Sequence, residues 1–139
     1  MGRPRILLAD DQPEIIATVG EILDDRFEIV AAVGDGKSVI DAVRRLHPDL
    51  LILDISMPIL NGIEAARRLN RCTSRPAIVF LTVHEDPSFV EAALSVGALG
   101  YVLKRQAARD LMPALREVLR GRVFMSPALG VRKRALLSA

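Results

Sequence analysis

The chain has 139 residues, of which 50% are hydrophobic, and a formal net charge of +2. This length fits one domain with a sizeable core. Only 4% of the residues are aromatic and none is Trp, which argues against stacking on nucleic-acid bases as the main activity. Four basic residues and no acids lie from Gly121 onward, so the preceding part holds 15 basic and 17 acidic residues. The positive balance therefore belongs to the tail and does not indicate a nucleic-acid surface.

Cysteine content and hydropathy indicate the cellular setting. Cys72 is the single cysteine, which excludes an internal disulfide and gives no metal-site spacing. The first residues contain no apolar stretch typical of a signal peptide, and no apolar run approaches the length of a membrane span. We therefore expect a cytoplasmic protein without membrane contact.

Apolar runs alternate along the chain with segments of helical spacing. The runs predict strands at 5–9, 27–33, 50–53, 77–81 and 100–103. Helical spacing is clearest in two groups of apolar residues, which are Ile15, Val19 and Ile22, then Val39, Val43 and Leu46. Three further stripes predict helices within 63–69, 90–94 and 111–119. Five βα units in succession predict an α/β fold with a doubly wound parallel sheet and helices on both faces.

Proline and glycine positions agree with these elements. Pro13 and Pro87 predict helix starts, Gly62 lies near the start of the third helix, and Gly121 lies where the last helix should end. Pro113 is expected in the first turns of the last helix, where its missing N–H costs least, or else that helix starts later.

The tail contains Pro127 and Gly130 and ends in a short apolar stretch. It is too short to bury a core of its own. We expect residues 122–139 to form a linker or a marginal extra helix, so that the domain spans residues 1–121.

Polar side chains follow the ends of four predicted strands. Asp10 and Asp11 follow the first strand, Asp54 the third, Thr82 the fourth and Lys104 the fifth. The carboxyl ends of parallel strands meet at one edge of a sheet, where open α/β sheets place their sites. Three carboxylates gathered there repel one another unless a cation neutralises them.

These residue types suit phosphoryl transfer. A carboxylate can act as a nucleophile toward phosphorus and form an acyl phosphate. Mg²⁺ held by carboxylates neutralises the charge of the transferring group. Lys104 can supply a point charge and Thr82 a hydrogen bond to the phosphoryl oxygens. The sequence contains no Gly-rich phosphate loop, no metal-binding His cluster and no Ser-His-Asp arrangement that would support another chemistry.

Four segments carry a resemblance to a known family. The segments LLADD, LLILDISMPILNGIEAARRL, IVFLTVHED and GALGYVLKR resemble the receiver domain of two-component response regulators, from Arg5 to about Gly121. The resemblance implies a flavodoxin-like (βα)5 fold, with a five-stranded parallel sheet in the order 2-1-3-4-5. The region from Ala98 into the tail looks most like receivers that precede a helix-turn-helix DNA-binding domain.

The resemblance also implies roles at the strand ends. Asp54 would be the phosphoacceptor, and Lys104 would contact the phosphoryl group. The Mg²⁺ ligands would be Asp10, Asp11, Asp54 and the backbone carbonyl of Ser56. The phosphodonor would be a histidine kinase, and the domain would act as a signalling switch that assists its own phosphorylation and dephosphorylation, not as a metabolic enzyme.

The switch itself is expected at Thr82 and Tyr101. Thr82 would bond the phosphoryl group and Tyr101 would turn inward, changing the face formed by the fourth helix, fifth strand and fifth helix (the α4-β5-α5 face). That face would control homodimerisation or transcription, with DNA contacted only through an output domain absent from this chain. Arg105 departs from the family, which often has a small polar residue or Pro there.

Several alternatives stand beside these expectations. Asp10 and Asp11 could cap the first helix, and Tyr101 could simply pack at a sheet edge. Ser56 and His84, two residues beyond Asp54 and Thr82, either flank the path of the hydrolytic water or are exposed loop residues. A haloacid-dehalogenase-type phosphohydrolase is the main alternative function, although Ser56 stands where that chemistry normally has a second acid. The last alternative is a stand-alone receiver that acts as an interaction module.

Overall fold

The computed structural model describes residues 2–72 and 74–129. Strands and helices alternate along them as the sequence predicts. The strands are β1 Arg5–Ala9, β2 Glu28–Val33, β3 Leu50–Leu53, β4 Ala77–Thr82, β5 Gly100–Leu103 and β6 Phe124–Met125. The helices are α1 Pro13–Leu23, α2 Gly36–Leu46, α3 Gly62–Leu69, α4 Pro87–Ser95 and α5 Ala107–Leu119. Short 3₁₀ turns lie at Lys104–Gln106 and Pro127–Leu129.

The sheet is parallel throughout and has the order β2-β1-β3-β4-β5-β6. The expected α/β architecture is confirmed, but the expected five-stranded sheet is wrong, because β6 extends it beyond β5. Tyr101 pairs with Met125, and the Ser126 N–H donates to the Tyr101 carbonyl at 2.9 Å. The Ser126 hydroxyl in turn accepts the Leu103 N–H at 3.0 Å. A strand of two residues has no alternating pattern, so periodicity could not reveal it.

The start of the predicted linker therefore belongs to the folded sheet. Met125 and Leu129 are 1% and 5% exposed and join the apolar cluster that also contains buried residues of α2, α3 and α4. Gly130 and the predicted extra helix beyond it lie outside the described residues.

Two apolar layers cover the sheet. One contains buried residues of α2, α3 and α4, and the other contains those of α1 and α5. β3 lies between them with all four residues fully buried, Leu51 and Leu53 facing the first layer and Leu50 and Ile52 the second. Burial on both faces explains its uninterrupted apolar sequence. In the part of the chain that the structure describes, no helix has the length and hydropathy needed to span a bilayer.

The helix starts predicted from proline and glycine are confirmed at Pro13, Gly62 and Pro87, and Gly121 follows the last helix with φ +76°. The expectation for Pro113 is wrong. α5 begins at Ala107, so Pro113 is the seventh helical residue and lies beyond the first four N–H groups, which have no partner in a helix. Burial of apolar residues such as Leu111 and Leu115 holds the helix together across this position.

The loop between β3 and α3 folds back onto the residue after β3. The Gly62 N–H donates to the Ile55 carbonyl at 2.7 Å, and a Cβ on Gly62 would lie 2.0 Å from the Asp54 carbonyl oxygen. Only glycine permits this close approach. The turn thereby fixes the backbone on the carboxyl side of Asp54.

Candidate functional site

Two carboxylates lie side by side at the ends of the neighbouring strands β1 and β3. The pairing of β1 with β3 continues one residue further, because the Asp54 N–H donates to the Ala9 carbonyl at 3.0 Å. The Asp10 N–H likewise extends the pairing of β1 with β2 by donating to the Val33 carbonyl at 2.9 Å. Asp10 is 2% exposed and Asp54 is 4% exposed, whereas Asp11 lies at the surface. The fold thus buries two acids that would be costly to bury without compensation.

The three acids form a compact group of oxygen ligands. One carboxylate oxygen from each of Asp10, Asp11 and Asp54 lies within 4.8 Å of the other two. Hard oxygen donors at this spacing suit Mg²⁺, which prefers carboxylates and retains several waters. Since two of the three carboxylates are buried beside one ammonium group, the site keeps an excess of negative charge. The donor set therefore fits a divalent cation.

Lys104 supplies that ammonium group. Its Nζ lies 2.8 Å from Asp10 Oδ2 and 2.9 Å from Asp54 Oδ2, and it donates to Gln12 Oε1 at 3.0 Å. Burial by itself would lower the pKa of Lys104, but the hydrogen bonds to Asp10 and Asp54 outweigh it and raise the pKa. Burial raises the pKa of Asp10, although the hydrogen bond from Lys104 opposes this. Lys104 is the one cation that contacts both buried acids among the described residues.

The carboxylate of Asp54 is held in a defined orientation. Oδ1 accepts the N–H of the next residue, Ile55, at 2.7 Å, while Oδ2 faces Lys104. A carboxylate oxygen has two lone-pair directions, so each oxygen keeps capacity for a further partner. The side chain is therefore fixed in place and still able to act as a ligand or a nucleophile.

Thr82 and Tyr101 both bind the backbone of His84. Thr82 is fully buried and its Oγ1 accepts the His84 N–H at 3.3 Å. Tyr101 is fully buried as well, and its hydroxyl donates to the His84 carbonyl at 2.7 Å. Burial, aided by the nearby charge of Asp54, raises the pKa of Tyr101 above its usual range, so the phenol remains a donor. The two predicted switch residues thus meet at one residue of the loop after β4.

Ser56 and His84 contact each other directly. Ser56 Oγ and His84 Nε2 share a hydrogen bond of 2.8 Å, and the imidazole stacks on Phe89 of α4 with ring centroids 4.1 Å apart. This contact joins the loop after β3 to the loop after β4 and to α4. The expected part of the Ser56 carbonyl in metal binding stays a prediction, as does the water path.

Two polar contacts at this edge were missed by sequence reasoning. Gln12 accepts from Lys104, and nothing in its position before α1 distinguishes it from any helix-flanking residue. Arg105 forms a two-point ion pair with Glu85, with donor–acceptor distances of 2.8 and 3.2 Å. The unusual residue at position 105 was a usable signal, but its partner could not be identified without the fold.

A family model of the response regulator receiver domain matches residues 6–116. This chain belongs to that family. Receiver domains are phosphorylation-dependent switches of two-component signalling and not metabolic enzymes. Membership of this family favours the expected signalling switch over the alternative, a haloacid-dehalogenase-type phosphohydrolase.

Sequence relatives include transcriptional regulators that are longer than this chain. The receiver is 34% identical over 125 residues to the transcriptional regulatory protein DegU of Brevibacillus brevis, covering 88% of this chain and 53% of DegU. The chain therefore spans about half the length of this relative.

Solved structures of response regulators share the whole fold. A LuxR-family regulator from Aurantimonas superimposes with a TM-score of 0.89 at 27% identity, covering 99% of this chain and 100% of that one. A structure of two RcsB dimers bound to two parallel DNAs matches with a TM-score of 0.82 at 26% identity, covering 99% of this chain and 69% of RcsB.

Proposed function

We propose that this receiver accepts a phosphoryl group on Asp54 from a histidine kinase. The observation that carries the proposal is the carboxylate of Asp54, buried, 2.9 Å from Lys104 and grouped with the oxygens of Asp10 and Asp11. A nucleophilic oxygen, a fixed cation and a divalent-metal ligand set are the parts that phosphoryl transfer to a carboxylate requires. All of them lie together at the carboxyl edge of the sheet.

Mg²⁺ is the cofactor we propose. Its ligands would be Asp10, Asp11, Asp54 and the backbone carbonyl of Ser56. Bound there, it would offset the repulsion among the carboxylates and the charge of the incoming phosphoryl group.

The chain's own residues perform the transfer. A carboxylate oxygen of Asp54 attacks phosphorus while the phosphorus–nitrogen bond of the kinase's phosphohistidine breaks, leaving the electron pair on the imidazole. Lys104, already held by Asp10, binds a phosphoryl oxygen as the charge of the transferred group reaches Asp54. Hydrolysis by water later returns the carboxylate and releases phosphate.

The added charge changes the hydrogen bonds to the backbone of His84. The Thr82 hydroxyl, which accepts from the His84 N–H, turns to donate to a phosphoryl oxygen, and this removes one of the two bonds holding that backbone. Tyr101, bonded to the His84 carbonyl, follows the loop, and the α4-β5-α5 face shifts between two states.

In the proposed function, phosphorylation changes the dimerisation of a longer protein that contains this receiver. We propose a cytoplasmic regulator in which the tail, residues 122–139, first completes the sheet with β6 and then leads to a DNA-binding output domain. Homodimerisation would use the α4-β5-α5 face. The length of DegU and the DNA-bound dimers of RcsB support this proposal.

Intact-mass measurement tests the phosphoacceptor. Treatment with acetyl phosphate and Mg²⁺ is expected to add one phosphoryl group per chain, and chelation with EDTA to prevent it. Borohydride reduction and peptide mapping should then place the label at position 54. Labelling of another residue, or labelling that survives chelation, would refute the assignment.

The Ser56–His84 contact gives a second expectation. We propose that it screens the phosphorylated carboxylate from water, since it joins the two loops that border Asp54. His84→Ala should shorten the half-life of the phosphorylated form several-fold by opening this path. His47→Ala is the control, because His47 follows α2 at the opposite edge of the sheet. An unchanged half-life in His84→Ala contradicts the idea.

A further inference from the structure

A cleft between the ends of α2 and α3 collects basic side chains. It lies at the amino ends of β3 and β4, opposite the carboxylates of the phosphorylation site. Its volume is about 350 Å³, which falls within the range of small-ligand pockets. The residues that line this basic cleft are Val43, Arg44, His47, Arg71, Cys72 and Ser74.

The arginines of the basic cleft are not neutralised by neighbouring acids. Within residues 2–72 and 74–129, neither Arg44 nor Arg71 forms an ion pair, and no carboxylate lines the cleft. Glu64 is already engaged, 2.9 Å from Arg67. Asp49 accepts the backbone N–H of Arg5 at 2.8 Å. In the described residues, therefore, no carboxylate pairs with the two arginines of the basic cleft.

Helix capping does not account for these side chains. Cations near a helix C-terminus often bind the last carbonyls. At the end of α2, however, the carbonyls of Leu46 and of the capping residue His47 accept from Nη1 of Arg5 at 2.7 and 3.0 Å. At the end of α3, backbone N–H groups bind the carbonyls, as Cys72 does with Leu69 at 2.9 Å. The guanidinium groups at positions 44 and 71 are left available to an external partner.

We propose that the basic cleft binds a phosphate group, either as the free anion or as the monoester of a small molecule. Two guanidinium groups, one from α2 and one from the turn after α3, can each bind phosphate oxygens in a two-point arrangement. The Ser74 hydroxyl adds a neutral donor and His47 an imidazole. Val43 and Cys72 give the cleft an apolar side, against which the organic part of a monoester packs.

Such a site is separate from phosphorylation of Asp54. The carboxylate edge binds phosphoryl groups only with a divalent cation, since three acids repel a bare anion. The basic cleft needs no metal. Phosphate binding in the presence of EDTA therefore excludes the carboxylate edge, and its failure would leave the proposed phosphoacceptor untouched.

Nuclear magnetic resonance titration of the ¹⁵N-labelled chain in EDTA tests the proposal. Sodium phosphate and adenosine monophosphate, at constant ionic strength, should shift the amides of residues 43–47, 71, 72 and 74, while adenosine should not. Tighter binding of the monophosphate than of phosphate identifies the site as one for an organic monoester, and equal binding identifies the free anion.

Charge-matched variants separate a site from diffuse attraction. Arg44→Gln and Arg71→Gln should each weaken phosphate binding about tenfold, the loss of one charge-assisted interaction. Arg45→Gln is the matched control, because Arg45 is exposed on the same helix but does not line the cleft. Equal weakening by all three variants, or absence of shifts at the named amides, would overturn the proposal. The spectra themselves show that each variant is folded.

Discussion

Lys104→Met is expected to lower the free energy of unfolding of the metal-free domain by about 3–5 kcal/mol, the usual cost of removing one partner from a buried ion pair. The side chain of Lys104 is only 8% exposed, and it contacts both buried acids. Methionine has a similar length but leaves those carboxylates without a cation. Urea unfolding in EDTA measures the loss.

Saturating Mg²⁺ should return much of this stability, because the ion replaces the missing positive charge and binds only the folded state. The phosphorylation rate with acetyl phosphate should nevertheless remain about 10²–10³-fold below that of the parent chain, because the variant lacks a fixed cation at the transferring phosphoryl group. Lys37→Met, at an exposed position of α2, is the control. It should change neither the free energy of unfolding nor the phosphorylation rate. A Lys104→Met protein as stable as the parent without metal would contradict this account of the site.

The strand ends could be predicted from the sequence because two simple patterns coincide there. Runs such as Leu50–Leu53 are apolar throughout only when both faces of the strand are covered, and coverage of both faces implies a parallel sheet. Parallel strands direct their ends to one edge, so Asp10, Asp54 and Lys104 had to converge. The distances of 2.8 and 2.9 Å between them are therefore a consequence of topology.

The contacts that surround Asp10, Asp54 and Lys104 could not be predicted from strand order in this way. The pairing of Phe124–Met125 with β5, the hydrogen bond from Lys104 to Gln12 and the ion pair of Arg105 with Glu85 each join residues that no periodic pattern relates. Each depends on where a loop or a side chain rests after the sheet has formed. Sequence spacing specifies elements and their order, but not these local choices.

The position of His84 is one of these local features, and it determines several contacts at once. Its backbone binds Thr82 and Tyr101, and its ring binds Ser56 and stacks on Phe89. Residues from the phosphoacceptor loop, from two strands and from α4 therefore meet at one position. A movement of Thr82 toward a phosphoryl group cannot leave that position unchanged, which links the chemistry at Asp54 to the α4-β5-α5 face.

Asp54→Asn is expected to change stability in the opposite direction from Lys104→Met. Removing one of three clustered negative charges relieves repulsion, while Lys104 keeps its contacts with Asp10 and Gln12. The free energy of unfolding in EDTA should therefore rise by about 1 kcal/mol. Added Mg²⁺ should stabilise this variant less than the parent, because one ligand oxygen has lost its charge.

Phosphorylation should be abolished in Asp54→Asn, since an amide cannot act as the nucleophile, and intact mass after acetyl phosphate treatment measures this. Loss of labelling together with a gain in metal-free stability is a combination that simple misfolding cannot produce. Asp41→Asn, an exposed acid on α2, serves as the control for removal of a negative charge elsewhere. If Asp54→Asn instead loses stability without metal, then the pair with Lys104 outweighs the repulsion among the acids, and a divalent cation is not needed to balance the site.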